Sequence, residues 1–411
     1  MQNTPKGLRL HIGIFGRANT GKSSLLNLLT GQKTSIVSEH PGTTTDPVEK
    51  PMELLPLGPV LFIDTAGIDD SGSLGELRIA RTRQIIDRTD LALLITDNNI
   101  WEEFEKRMAE EFTRRRIPFI AVFNKADISD AGKIPQININ GRSISPVKTS
   151  AADQSGITDL RQAIIAAAGD LSVLRPLVSD LVPPGKCAVL VTPIDKEAPR
   201  GRLILPQVQA IRDLLDHGSY CLVVQEKELK PALENLRTAP ALVVTDSQAF
   251  SKVASDTPEK IPLTSFSILL ARLQADLAVM TAGACAIKSL KPGDTVLIAE
   301  ACTHHPITDD IGTVKIPRWL SQYTGVNLNF IYSRGHDFPE DLKKIRLVIH
   351  CGACMWNRRA MISRLARCRE AGVPVTNYGL AIAFTLGIIE RALGPFPEAL
   401  AVYQSEKPST K

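Results

Sequence analysis

The stretch "GRANTGKS", Gly16 to Ser23, follows the apolar run "LHIGIF" and opens a helical pattern. A phosphate-binding loop needs this context: a strand to deliver the chain, glycines that let backbone N–H groups approach phosphates, and a helix N-terminus that favours negative charge. Lys22 supplies a point charge for the terminal phosphates, and the Ser23 hydroxyl can ligate magnesium. The candidate loop comprises Gly16, Arg17, Ala18, Asn19, Thr20, Gly21, Lys22, Ser23 and Ser24. It specifies a nucleoside triphosphatase in an α/β fold, without naming the base.

Three further motifs follow in order. "DTAG", Asp64 to Gly67, closes a second apolar run and offers a carboxylate toward magnesium and the Gly67 N–H toward the γ-phosphate. "NKAD", containing Asn124, Lys125 and Asp127, follows a third run. The Asp127 carboxylate can accept both N1–H and the exocyclic amine of guanine, which adenine cannot offer, a discrimination on the order of 10⁴. "TSA", ending in Ser150 and Ala151, is placed to close over the base. Together they predict GTP with Mg2+, and Lys22, Asn19, Asp64 and Gly67 as the catalytic set.

Between the first two motifs, "EHPGTTTDP" resembles the switch stretch of the translation-factor-like GTPase group that includes TrmE and Era. Thr44 aligns best with that group's magnesium-reaching threonine, with Thr43 and Thr45 as alternatives. Ile68 follows "DTAG" where Ras-type enzymes place a water-orienting glutamine. The resemblance implies that Asn19 instead ligates a potassium ion (K+) that supplies the missing positive charge. The plainer reading of Asn19 is a turn cap.

At 411 residues the chain is too long for one ordinary core, and 44% hydrophobic with 22% charged residues is a globular composition. A net charge of +4 with no long basic run gives no nucleic-acid footprint. No stretch is long and apolar enough for a signal peptide or a membrane span, so the sequence reads as soluble and cytoplasmic. "LHIGIFG", "PVLFIDTAG", "LALLITD", "FIAVFNK" and "ISPVKTSA" read as strands of a P-loop GTPase domain over 8–172. After the Pro-Pro-Gly break, "CAVLVTP", "SYCLVV" and "PALVVTD" make a small α/β unit over 183–262, whose sheet edge suits pairing with a second copy, a homodimer. The third α/β unit, 265–400, opens with "SFSILLARLQADLAVMTAGACAI", read as one long helix, and holds the strands "DTVLIAE" and "IRLVIH".

Those last two strands each end beside a cysteine. "ACTHHP" contributes Cys302, His304 and His305, and "HCGACM" contributes His350, Cys351 and Cys354. In a reducing compartment such a set is a metal site before it is a disulfide. Two thiolates with two further ligands suit structural zinc; three thiolates suit a 4Fe-4S cluster with one iron not held by cysteine. Cys187, Cys221, Cys285 and Cys368 lie in apolar or helical patterns and read as packing residues.

The whole arrangement resembles the family of FeFe-hydrogenase maturation GTPases. That resemblance implies a 4Fe-4S cluster on Cys302, Cys351 and Cys354, with His304 and His350 as the motif histidines and the choice of any histidine ligand left open. It implies a scaffold that carries a transient diiron subcluster precursor. The implied partners are the two radical-SAM hydrogenase maturases and apo FeFe-hydrogenase. The rival reading is a potassium-dependent GTPase of tRNA modification or ribosome assembly with a zinc site.

Overall fold

Strands buried on both faces must be apolar throughout, and the uninterrupted runs of the sequence are those strands. The computed structural model describes residues 4–31, 47–65, 75–97, 100–128, 137–139, 141–171, 175–194, 201–301 and 310–407. The chain divides into two compact units, Met1–Leu174 and Arg175–Lys411.

In the first unit β1 (Leu10–Phe15), β2 (Val48–Leu54), β3 (Gly58–Asp64), β4 (Leu91–Asp97) and β5 (Phe119–Asn124) are followed by a hairpin, β6 (Ile137–Ile139) and β7 (Arg142–Ile144), and by the short β8 (Val147–Lys148). The six-stranded sheet runs β2-β3-β1-β4-β5-β8, and β2 alone is antiparallel to its neighbour. Helices α1 (Lys22–Thr30), α2 (Gly75–Asp87), α3 (Glu103–Arg114) and α4 (Ile157–Ala168) complete the unit. Side chains alternate across β1: Ile12 and Ile14 pack with Leu25 and Ile164 in one core, whereas Phe15 packs with Ile63 and Phe112 in the other. The sequence reading did not include β2. Its "VEKPMEL" carries three charges and a proline, which an edge strand tolerates and an inner strand does not.

The second unit contains two four-stranded sheets. The first is built from β9 (Cys187–Val191), β10 (Tyr220–Val224), β11 (Leu242–Thr245) and β12 (Leu263–Ser265), and the second from β13 (Thr295–Glu300), β14 (Asn329–Arg334), β15 (Ile345–His350) and β16 (Val375–Asn377). Their orders are β10-β9-β11-β12 and β14-β13-β15-β16, parallel throughout. Around the first lie α5 (Leu205–Asp216), α6 (Leu229–Asn235) and α7 (Phe250–Asp256); then come α8 (Phe266–Gln274), α9 (Leu277–Cys285), α10 (Ile316–Thr324), α11 (Arg358–Glu370), α12 (Tyr378–Thr385), α13 (Ile389–Leu393) and α14 (Pro397–Ser405). One continuous core links both sheets, running through Val189, Leu269, Leu297, Val348 and Leu393.

The expected long helix is instead two, α8 and α9, bent by 119°. Asp276 decides the break: its carboxylate accepts the N–H groups of Ala278 and Val279 and so starts a new helix. No single described helix is long and apolar enough to cross a membrane. Sequence reading also passed over β12, β14 and β16, which are too short or too polar to stand out as apolar runs.

Candidate functional site

The phosphate loop runs from the end of β1 to the start of α1. Gly16 and Gly21 both hold positive φ, 153° and 86°. A Cβ would lie 2.2 Å from the Ile95 carbonyl oxygen at the first and 2.3 Å from Asn124 Nδ2 at the second, so only glycine fits. Lys22 is buried, and its Nζ donates to the carbonyls of Gly16 (3.0 Å) and Arg17 (2.6 Å), which ties the ammonium across the loop it serves. Arg17 turns its guanidinium away, to Glu105 (2.8 Å) and Glu102 (3.0 Å) at the start of α3, and thereby anchors the loop. Ala18 is half-buried, Thr20 donates to the Arg17 carbonyl, and Asn19 is exposed with φ 61°.

Ser23 and Asp64 meet directly: the Ser23 hydroxyl donates to Asp64 Oδ2 at 2.6 Å. Burial pushes the Asp64 carboxyl above the usual carboxylate range, while the Ser23 hydroxyl and the charges of Lys22 and Lys50 pull it down. Its Oδ1 is buried with no hydrogen-bond partner among the described residues. A hydroxyl and a carboxylate oxygen in want of a donor or cation are the donor chemistry magnesium takes. Ser23 and Ser24 are both exposed on the first turn of α1.

The base-reading motifs converge on the end of β5. Asn124 is buried, donates from Nδ2 to the Thr20 carbonyl (2.8 Å) and accepts from Thr149 Oγ1 (3.2 Å), joining phosphate loop to base loop. Lys125, at φ 59°, donates to Asp97 (2.9 Å). Ser150 donates to Asp127 Oδ1 (2.6 Å), and Ala151 follows in the same turn, so the exposed Asp127 carboxylate is aimed before any base arrives. Thr43, Thr44, Thr45, Gly67 and Ile68 lie outside the described residues.

The cysteine site forms where β13 and β15 end side by side. These neighbours send their onward chains in opposite directions, to β14 and to β16, which opens a crevice at their carboxyl ends. The Cys351 N–H donates to the Ala299 carbonyl (2.9 Å), and the Ala301 N–H donates to Cys351 Sγ (3.1 Å). Ala353, between the two cysteines, holds φ 53°, strain of the kind that collects at ligand sites. His350 is buried and both ring nitrogens are engaged, Nδ1 with the Cys351 carbonyl (2.9 Å) and Nε2 with Arg364 Nη1 (2.7 Å). Burial and the Arg364 charge push its pKa down to about 3. The ring is therefore neutral and works as a bracket between the cysteine turn and α11. Cys302, His304 and His305 lie outside the described residues, and among the described residues no three candidate ligands cluster.

Residues 177–275 match the hydrogen maturase F dimerization domain, and residues 278–395 match the hydrogen maturase F tetramerization domain. The chain belongs to the hydrogen maturase F family. Residues 11–125 match the 50S ribosome-binding GTPase family, so the first unit is a P-loop GTPase domain. The chain is 36% identical over 161 residues to the tRNA modification GTPase MnmE of Nitrosomonas europaea, covering 39% of this chain and 35% of that protein. It is 36% identical over 132 residues to GTPase Der of Wolinella succinogenes, covering 31% and 27%. The chain thus spans about a third of these curated relatives. Among solved structures, a point variant of Aquifex aeolicus Era bound to GDP.AlF4- aligns with 20% identity and a TM-score of 0.34, covering 52% of this chain and 92% of that one.

In this hydrogen maturase F chain both cysteines fall within the tetramerization match. Sequence reading missed three side chains at the site. Glu300, the last residue of β13, is buried and takes Tyr378 Oη on Oε1 (3.2 Å) and Arg334 Nε on Oε2 (3.3 Å). Burial, with Cys351 and Glu300 close by, holds the Tyr378 hydroxyl well above its ordinary pKa. Arg364 lies 4.1 Å above the Trp356 ring. A buried acid at a strand end was the available signal for Glu300; Arg364 and Tyr378 come from helices α11 and α12, and spacing does not connect them.

Proposed function

We propose that this hydrogen maturase F chain hydrolyses GTP and uses its second unit as an iron–sulfur scaffold, receiving a diiron precursor and delivering it to apo FeFe-hydrogenase. The observation that carries the scaffold reading is the junction of β13 and β15. It fixes Cys351 by two backbone bonds one strand away from Ala301, the residue before Cys302. Cys302, Cys351 and Cys354 would hold the 4Fe-4S cluster. An N–H aimed at Cys351 Sγ favours the thiolate that iron ligation needs. Three cysteines leave one iron with a replaceable ligand, which suits a carrier that must also release.

In the GTPase unit Lys22 and the loop N–H groups bind and orient the phosphates, Ser23 and Asp64 would hold magnesium with Thr44, the Gly67 N–H would meet the γ-phosphate, and Asp127 with Ser150 selects guanine. Magnesium, when bound, neutralises charge on the β- and γ-phosphates. Asn19, exposed at the loop's tip, is the group that would hold potassium. The two radical-SAM maturases are the proposed donors of the precursor. The relatives named for tRNA modification match the GTPase region. The second reading, a structural zinc, is separated by one experiment: anaerobic reconstitution followed by iron, sulfide and zinc analysis. Stoichiometric iron and sulfide with an electron paramagnetic resonance signal support the scaffold; zinc without iron overturns it.

A further inference from the structure

The positive charge of the chain is concentrated around the cysteine turn. Residues 342–369, which contain "HCGACM", hold eight lysines and arginines and no aspartate or glutamate, so the rest of the chain, with 40 basic against 44 acidic residues, is net negative. Five of the eight are arginines of α11, the helix that starts four residues after Cys354. Arg358, Arg364 and Arg367 donate to the carbonyls of Leu273, Gly335 and Pro339 at 2.8, 2.7 and 2.6 Å. A carbonyl orients a guanidinium without cancelling its charge. Arg359 and Arg369 lie elsewhere on the helix. With Ile362 and Ala366 they recur at spacings of three and four residues, a single stripe on the solvent face of α11 that ends at Glu370. Met355, 44% exposed, precedes the stripe beside Cys354, and Ile362 is 37% exposed. The nearest acids before the segment, Asp337, Glu340 and Asp341, belong to the loop that takes Arg364 and Arg367, on the opposite flank of the helix. Helix electrostatics gives no reason for Arg359 in the first turn, where the dipole favours acids and α11 has none.

We propose that Met355 and the solvent face of α11 form the docking surface for an acidic face of the protein that takes iron cargo from the cysteine site. The inference rests on the carrier reading given above. Charge complementarity sets the sign of the partner, since a segment with eight cations and no acid repels a basic surface and steers an acidic one toward it. The apolar members of the stripe set its class. Arginine and methionine are enriched in protein interfaces, and Ile362 and Ala366 between the charges have a use against an apolar protein surface but none against a phosphate backbone. The 13 residues of α11 span about 20 Å, so the contact is small and belongs with transient encounters rather than permanent assemblies. A carrier needs that kind of contact: opposite charge speeds the encounter, and a small buried area lets the partner leave once loaded. Because Met355 follows Cys354 directly, a partner seated on the stripe is brought to the cysteine turn.

The test measures binding of the full-length, reconstituted protein to immobilised apo FeFe-hydrogenase by biolayer interferometry at low and high salt. The double variant Arg359→Glu with Arg369→Glu should associate at least about tenfold more slowly than wild type at low ionic strength, and the difference should shrink as salt screens it. Ile362→Ser should dissociate faster and keep the salt dependence of wild type. Iron content, GTP hydrolysis and, by light scattering, the number of chains per particle should match wild type in both. Arg359→Gln with Arg369→Gln repeats the measurement should the charge reversal misfold. Folded variants that bind as wild type does overturn the assignment of this face. A changed number of chains overturns it in favour of a contact between copies, and loss of bulk tRNA binding with hydrogenase binding intact overturns it in favour of a nucleic acid. Wild type that neither binds nor activates apo-hydrogenase overturns the carrier reading itself.

Discussion

The amide N–H of Ala301 donates to the sulfur of Cys351 at 3.1 Å, although fifty positions separate them in the chain. The parallel register sets Ala299 beside His350, so β13 and β15 end in step and deliver their next residues to one place. Cys351→Ala is therefore expected to abolish bound iron after anaerobic reconstitution while GTP hydrolysis stays at the wild-type rate. Iron and sulfide assays beside a phosphate-release assay measure both, and wild-type iron content in the variant would refute the assignment.

Lys22→Ala provides the opposite separation. Removing the ammonium that spans the phosphate loop should lower GTP turnover by at least about 100-fold. Iron content should not change, since the cysteines belong to the other compact unit. Loss of iron in this variant would contradict that independence.

Asp127 and Asn19 give the nucleotide predictions. Asp127→Asn should turn preference from GTP to XTP, because the amide can donate to the xanthine oxygen; the ratio of kcat/KM values reads the switch, with up to about 10⁴ at stake. Turnover of wild type should be about tenfold faster in potassium than in sodium, a barrier difference of about 1.4 kcal/mol. Equal rates in the two salts would remove the potassium role from Asn19.

Gly283→Ala tests the packing of α9 on β16. A Cβ there would sit 1.9 Å from the Val375 carbonyl oxygen and 2.4 Å from its carbon, and backbone cannot yield as a side chain can. Overpacking of this kind costs about 1–3 kcal/mol or more. A thermal transition within error of wild type would show that the helix can move away freely.

Cys368 is buried on α11, and burial pushes its thiol up to about 11. At pH 8 only about one in a thousand such groups is thiolate, the form that reacts. Mass spectrometry after iodoacetamide treatment of the native apo protein should find Cys368 unmodified while Cys351 and Cys354 are labelled. Rapid labelling of Cys368 would show that α11 opens readily.

The nucleotide motifs were legible because their geometry is local. A glycine that must hold positive φ, a lysine six positions after Gly16 and a serine beside it specify a loop before anything packs on it. Inner parallel strands were legible for a similar reason: burial on both faces demands continuous apolar runs, and β1, β3, β4, β5, β9, β11, β13 and β15 have them. Cys187, Cys221, Cys285 and Cys368 read as packing residues; Cys187, Cys285 and Cys368 are buried, and Cys221, on the edge strand β10, is half-buried against the core. What sequence left open is set by contacts between distant segments. Strand order, the antiparallel β2 and the edges β10 and β14 follow from which strand lies beside which, and no residue type encodes that alone. The break at Asp276 needed the competition between one capping carboxylate and a continuing apolar pattern. The roles of Arg17, His350, Glu300 and Arg364 are pairings across 88, 14, 78 and 29 positions, to Glu105, Arg364, Tyr378 and Gly335. Only the folded chain closes those distances, because a hydrogen bond depends on angstroms in space and not on separation in sequence.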